Sequence, residues 1–321
     1  MDKTENRRQR TEDRGQRTED GGQKTEVRSQ KLGKFRLSLL SGGRFWLDGG
    51  AMFGVVPKPL WERLTPSDTH NRIELGLNCL LIETGDKNIL VDTGILRIED
   101  IKFNEIYKVE YASIQDSLSQ LNLSPQDIDI VINSHLHFDH CGGNTYKRTE
   151  DREQKTENRR GEFVPSFPRA KYVIQELEWY DATHPNERTR TSYISDTFLP
   201  LKESGSPWSG NLEIVKGDCE LLPGIRVHLT GGHTRGHQVV ILESNGEKCI
   251  YFADLIPTAS HIKVPYVMGY DLYPLETIAK KKELLEMASD GRWLTIFEHE
   301  PKVGIGYLDK RDGKLVFVPI V

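Results

Sequence analysis

Ser134-His135-Leu136-His137-Phe138-Asp139-His140-Cys141-Gly142-Gly143 places three histidines and an aspartate within six residues, directly after the apolar run Ile128–Ile132. A run of that kind predicts a strand over 128–133, which would deliver the histidines to a sheet edge. Side chains of an extended chain repeat every two residues, so His135 and His137 face the same way. A turn after Phe138 then aims Asp139 and His140 at a second point, and Gly142-Gly143 accepts the backbone angles such a turn needs. Imidazole and carboxylate are the donors that zinc and similar divalent metals take, and three protein ligands leave a coordination position for water. A lone His-x-His is weak, because exposed strands carry it by chance. Four potential ligands in six residues at the end of a strand are a strong metal-site signal.

The surrounding chain alternates short β-type runs with helical periodicity. Strands are expected at 35–40, 73–83, 88–91, 128–133, 171–174, 225–230, 239–243, 248–253 and 293–298, most bounded by Gly, Asp, Asn or Pro. Helices are expected at 114–121, 175–182 and 275–288, the last between Pro274 and Gly291. Early strands in meander order, then strands interleaved with helices, fit an α/β protein of two sheets flanked by helices. One domain is expected over 32–321. A seven-residue repeat (Gln9-Arg-Thr-Glu-Asp-Arg-Gly, Gln16-Arg-Thr-Glu-Asp-Gly-Gly, Gln23-Lys-Thr-Glu-Val-Arg-Ser) fills 1–31 and returns as an insertion at 147–160. No repeat position is consistently apolar, so a coiled-coil seam is excluded and both segments read as disordered and non-catalytic.

Charge narrows the partners. Of the formal −5 on 321 residues, each repeat segment carries +2, which leaves −9 on the other 276. Nucleic acid needs clustered Lys/Arg, so it is excluded as a partner. No apolar run is long enough for a membrane span, and the polar N-terminus lacks the core of a signal peptide. Cys79, Cys141, Cys219 and Cys249 have no Cys-x-x-Cys spacing, so the expected address is the cytoplasm. Cys141 reads as a buried thiol, and His70, His184 and His228 as ordinary surface or core residues.

The motif at 135–140 resembles the His-x-His-x-Asp-His signature of the metallo-β-lactamase superfamily, and further landmarks follow in order. Leu90-Val91-Asp92-Thr93-Gly94 is similar to the early Asp-Thr-Gly turn, and Gly232-His233-Thr234-Arg235-Gly236-His237 to the Gly-His-x-x-Gly-His segment. Phe252-Ala253-Asp254 and Phe297-Glu298-His299 end strands as the family's bridging aspartate and last histidine do. The resemblance implies a four-layer αββα sandwich with two divalent ions, zinc first, with manganese, iron or cobalt accepted by the same donors. One ion would be held by His135, His137 and His233, the other by Asp139, His140 and His299, with Asp254 bridging. It implies hydrolysis by a hydroxide shared between the metals, with Asp254 or Asp139 passing a proton to the leaving group. Asp92 would brace the signature loop by hydrogen bonds, and His237 matches a histidine that supports the site without ligating. Independently, a carboxylate at Asp254, closing an apolar strand, is costly to bury unless it is paired or metal-bound.

Within the superfamily, Phe138, Gly142-Gly143, the stretch Gly49–Gly54, Phe167-Pro168 and Asp254-Leu-Ile-Pro-Thr-Ala resemble acyl-homoserine lactonases and methyl-parathion-type hydrolases. The implied activity is quorum quenching by opening a lactone or ester; the alternative is hydrolysis of a phosphotriester or aryl ester at the same site. Met52, Phe53, His261 and Tyr270 are the expected substrate-pocket residues. Core packing, or a contact between two copies of the chain making a homodimer, is the other reading of the 49–54 loop. Trp61, Phe53 and Trp179 would wall a phosphotriester pocket. Many such lactonases have a tyrosine three residues after the bridging aspartate; here Pro257 stands there, with Tyr266, Tyr270 and Tyr273 as stand-ins. Redox relatives are disfavoured, because His137 is intact where the flavodiiron type has glutamate and the second ligand set is complete. The partner expected is a small-molecule substrate, with neither nucleic acid nor membrane.

Overall fold

A computed structural model of the chain describes residues 27–98, 100–148, 162–202 and 211–320. The first sheet collects β1 (Arg28–Leu32), β2 (Phe35–Asp48), β3 (Arg72–Glu83), β4 (Asn88–Val91), β5 (Glu110–Tyr111), β6 (Ile130–Ile132), β9 (Lys171–Gln175) and β10 (Leu212–Val215). Between them, β7 (Thr145–Lys147) and β8 (Phe163–Pro165) form a separate hairpin. The second sheet holds β11 (Cys219–Leu222), β12 (Ile225–Leu229), β13 (Gln238–Ser244), β14 (Glu247–Tyr251), β15 (Leu294–Ile296), β16 (Ile305–Arg311) and β17 (Lys314–Pro319). The helices are α1 (Gly49–Phe53), α2 (Lys58–Trp61), α3 (Ile101–Tyr107), α4 (Ile114–Gln120), α5 (Glu176–Thr183) and α6 (Pro274–Asp290).

Strand order is β1-β2-β3-β4-β6-β9-β10, with β5 on β2, in the first sheet and β11 through β17 in the second. Period-two alternation builds the layers. In β3, Leu80 and Ile82 face the core between the sheets, while Cys79 and Leu81 face the opposite side under α4 and α5. In β14, Cys249 and Tyr251 meet that same central core, while Ile250 packs with Leu284, Leu285 and Ala288 of α6. Strands buried on both faces read as near-continuous apolar runs, as Cys79–Ile82 does. The result is the expected αββα sandwich.

Three expectations about extent change. β2 runs on to Asp48 rather than ending at Leu40, because the polar Ser41-Gly42-Gly43 passes as a bulge where the register with β3 shifts. Gly43 sits at φ 111° with the β5 backbone so near that a Cβ would meet the Glu110 carbonyl at 2.2 Å. β1 begins at Arg28, inside the stretch assigned to the polar tail; its order comes from backbone pairing with β2, which composition does not report. Lys147 likewise belongs to β7. The remaining repeat residues, 1–26 and 149–160, lie outside the described residues.

The hairpin makes the insertion separable. The Arg148 amide donates to the Glu162 carbonyl at 3.0 Å, so the ladder already brings both ends of the inserted segment together. Replacing 149–161 by a two-residue Asn-Gly turn is therefore expected to leave the thermal midpoint and any turnover within about twofold of the parent. A large loss in that deletion would show that the segment serves the fold or the site.

Candidate metal centre

The parallel pairs β4–β6 and β14–β15 set the geometry, because each strand's carboxyl end opens onto the same rim. Asp92 follows β4, the 133–141 loop follows β6, Asp254 follows β14 and His299 follows β15; His233 comes from the β12–β13 loop. Asp92 and Ala253 lie at φ 55° and 45°, the sharp turns that swing the chain across the rim.

Two donor clusters form there. His135, His137, His233 and Asp254 make one, and Asp139, His140 and His299 the other, each with ligand atoms within 4.8 Å of one another. The Asp254 carboxylate lies between them, Oδ2 at 3.1 Å from His233 Nε2 and Oδ1 at 3.1 Å from His299 Nε2. All seven residues singled out from the sequence are brought together.

Behind the His233, His299 and His140 rings stand acceptors that fix their orientation. His233 Nδ1 donates to Asp271 Oδ1 and His299 Nδ1 to the Gly76 carbonyl, both at 2.9 Å. His140 Nδ1 lies 2.7 Å from Glu298 Oε2 and 3.2 Å from Asp92 Oδ2. Asp92 also takes the Ser134 amide at 2.7 Å and its hydroxyl at 2.6 Å, bracing the signature loop. His237 donates or accepts at Thr230 Oγ1, 2.6 Å away, and its ring lies beside those of His135 and His233. Glu178 ties the two histidine loops together: it accepts from the Leu136 amide at 2.9 Å, the Thr234 hydroxyl at 2.5 Å and the Tyr193 hydroxyl at 3.0 Å.

His137 turns Nδ1 inward, 3.1 Å from His233 Nε2; with the other Nδ1 atoms turned outward, the Nε2 lone pairs point inward. Those of His140 and His299 face each other at 3.1 Å, and those of His233 and His299 meet Asp254 oxygens. His135 Nε2 is buried with no hydrogen-bond partner among the described residues. Such converging acceptors repel unless a proton or a cation lies between them. The donor set of imidazole and carboxylate fits divalent metal in both clusters.

The electrostatics divide the candidate ligands: His135 and His137 are lowered, while, against burial, the nearby carboxylates raise His140, His233 and His299. Burial holds His135 and His137 well below the ordinary histidine range, as neutral ligands require. For His299, burial works against the proton, but the Asp254 and Glu298 carboxylates outweigh it and carry it to about 9. Asp254 is held well below the carboxylate range: burial opposes this, and the His140, His233 and His299 charges overcome it. Burial pushes Glu298 up to about 8, with the His140 charge pulling against it and Asp92 adding to it.

Above the clusters opens a pocket of ≈ 190 Å³. Met52 and Tyr270 line it as expected, beside Asp139 and Asp254; Tyr107, Arg188 and Met268, which the sequence did not single out, also line it. Phe53 and His261 do not. Phe53 is stacked between Trp61 and His261, and His261 is consumed by Thr258 Oγ1 at 2.8 Å and the Met52 carbonyl at 2.9 Å, locking α1 to the loop after β14. Trp61 is thus in the interior, and Trp179 packs on Phe198, so neither walls the pocket. Of the other stand-in tyrosines, Tyr266 packs edge-on against Phe53 and Tyr273 is exposed. Glu178, Asp271 and Glu298 were missed. Glu298 had one signal, an acid beside a candidate ligand in an apolar run; the other two read as ordinary surface carboxylates.

Comparison with known proteins places this geometry in a family. The model for the metallo-beta-lactamase superfamily matches residues 72–299. An N-acyl homoserine lactonase of a Bacillus species is 30% identical over 221 residues, 65% of this chain and 70% of that one. Another, from Bacillus thuringiensis, is 27% identical over 283 residues, 83% of this chain and 93% of that one. A probable metal-dependent hydrolase from Staphylococcus aureus superposes with TM-score 0.79 at 30% identity, covering 91% of this chain and 100% of that one. AidC, a dizinc quorum-quenching lactonase, shares the fold with TM-score 0.71 at 22% identity, covering 92% and 97%.

Proposed function

The chain belongs to the metallo-β-lactamase superfamily of metal-dependent hydrolases, and on that premise we propose that it opens the ester bond of an acyl-homoserine-lactone-type substrate at a dinuclear centre. The observation that carries the reading is the Asp254 carboxylate, equidistant at 3.1 Å from a histidine of each cluster. His135, His137 and His233 would hold one ion, Asp139, His140 and His299 the other, with Asp254 shared. Two divalent cations, zinc first, would supply an activated water and Lewis acidity toward the carbonyl.

The chain's own residues do the rest. Asp271, the Gly76 carbonyl and Glu298 with Asp92 keep the His233, His299 and His140 rings turned inward, so no reorganisation is needed during reaction. Asp139 and Asp254 line the pocket, and either carboxylate would carry a proton to the leaving alkoxide. Leu47, Met52, Met268 and Leu272 give the pocket an apolar side suited to an acyl chain. Tyr270 and Tyr107 bring phenols into the same space, a role that Pro257 cannot fill. The lactone reading is favoured over a phosphotriester because the tryptophans expected to wall the latter pocket are packed elsewhere. The N-acyl homoserine lactonases of Bacillus support the same substrate class. A small-molecule substrate completes the reading. Among the described residues no helix is long and apolar enough to cross a membrane.

The test is ring opening of an acyl-homoserine lactone by zinc- or manganese-loaded protein. Turnover should vanish on chelation and return with added metal. Protein that holds two metals per chain, turns over a phosphotriester and leaves the lactone intact would sink the lactone reading.

A further inference from the structure

Lys281 is the charged side chain least expected where it stands, fully buried on α6. An ammonium is costly to take out of water unless its contacts replace hydration, and an apolar side chain would fill the same space without that penalty. Its Nζ donates to the Tyr266 carbonyl at 2.5 Å. Tyr266 begins an arm, 266–272, that reaches both the pocket and the metal-ligand cluster. Met268, Tyr270 and Leu272 line the pocket, and Asp271 holds His233 Nδ1. The arm's other ties include the Tyr266 amide on the Lys263 carbonyl at 2.8 Å, the Gly269 amide on the Ala51 carbonyl at 2.8 Å, Arg188 on the Gly269 carbonyl at 2.5 Å and the Leu272 amide on the His233 carbonyl at 3.0 Å. Tyr266 and Met268 also pack in the apolar cluster with Phe53.

Asp271 spends one oxygen on His233, and its Oδ2 is buried with no hydrogen-bond partner among the described residues. Its negative charge favours the Lys281 proton, while burial pulls Lys281 down to about 7. His261, facing Lys281 from the loop after β14, feels the lysine charge in turn and is held neutral, by burial first. A buried lysine thus holds the arm at Tyr266, and a half-used buried carboxylate sits near its other end at Asp271.

We propose that Lys281 is a positioning residue for the site: its Nζ hydrogen bond to the Tyr266 carbonyl clamps the 266–272 arm to α6 and, through the arm, holds Asp271 on His233. It touches neither substrate nor metal, and acts through the arm. The inference rests on the proposed hydrolase function only where turnover is read.

Amide exchange, chelator competition and kinetics on Lys281→Met test it. Exchange at Tyr266–Leu272 should quicken at least about tenfold while the β13–β14 amides stay at wild-type rates. The chelator midpoint for the weaker-held metal should shift about tenfold, the scale found when a ligand's outer partner is lost. KM for a long-chain acyl lactone should rise with kcat nearly unchanged. In an Asp271→Asn background the Lys281→Met shift in midpoint should largely disappear, because one chain of contacts is already broken. Lys281→Gln, with a shorter donor and no charge, serves if Lys281→Met does not fold, and should show the same midpoint shift. Wild-type arm exchange and midpoint in the variant, a uniform rise in exchange across the protein, or full additivity with Asp271→Asn would each overturn the proposal. Failure of the wild type to open any lactone would sink the substrate reading while leaving the exchange comparison intact.

Discussion

Asp254→Asn is expected to lower kcat by at least about a thousandfold and to reduce bound metal below two per chain, measured by elemental analysis alongside steady-state kinetics. The side chain keeps its size, so the fold has little reason to change. What changes is charge and donor character. Asp254 presents two acceptor oxygens, one toward each cluster at 3.1 Å. An amide presents one oxygen and one NH2, and the NH2 would face an inward-pointing imidazole lone pair. One cluster therefore loses an anionic oxygen donor, and the amide hydrogen takes up an imidazole lone pair that a cation would otherwise use. Wild-type turnover with full metal content in this variant would refute the role given to Asp254.

The second large effect is on stability. Glu178→Ala is expected to destabilise the protein by about 3 kcal/mol or more, read as a lowered urea midpoint at saturating metal. Glu178 is buried and takes three donors: the Leu136 amide from one histidine loop, the Thr234 hydroxyl from the other, and the Tyr193 hydroxyl. Burial pushes its carboxyl upward, while the Thr234 and Leu136 hydrogen bonds pull the other way. Truncation strands those donors away from water. Neighbouring chain cannot move in to help, because Gly236 already lies so near that a Cβ would be 2.2 Å from the Glu178 amide. A change under about 1 kcal/mol would show that water replaces the carboxylate and that the two loops hold without it.

These two residues mark the limits of reading the chain alone. Asp254 was legible because its setting is local: a carboxylate ending an apolar strand needs a partner, and the landmark motifs supplied one. Glu178 carried no such mark. It sits in Glu176-Leu-Glu-Trp-Tyr, where acids at a helix start read as solvated. Its partners lie 42, 56 and 15 residues away along the chain. The pocket divided in the same way. Met52 and Tyr270 reach it, whereas Phe53, next to Met52, turns into the interior because adjacent residues of the short α1 helix point in different directions.

What the sequence determined by itself is whatever depends on near neighbours. It specified the apolar alternation that makes the sheets two-sided, the His and Asp donors at strand ends, and with them the family and the candidate ligands. The tertiary structure alone decided which acceptor stands behind each ligand, which side chains line the pocket, and where a lysine is buried. Those outcomes depend on how two sheets and their loops come together, and contacts such as His299 with Gly76, 223 residues apart, are set by packing of the whole molecule. Backbone and side-chain hydrogen-bond groups must be satisfied wherever folding buries them. Residues of ordinary character thus acquire their roles from the positions into which the sandwich carries them.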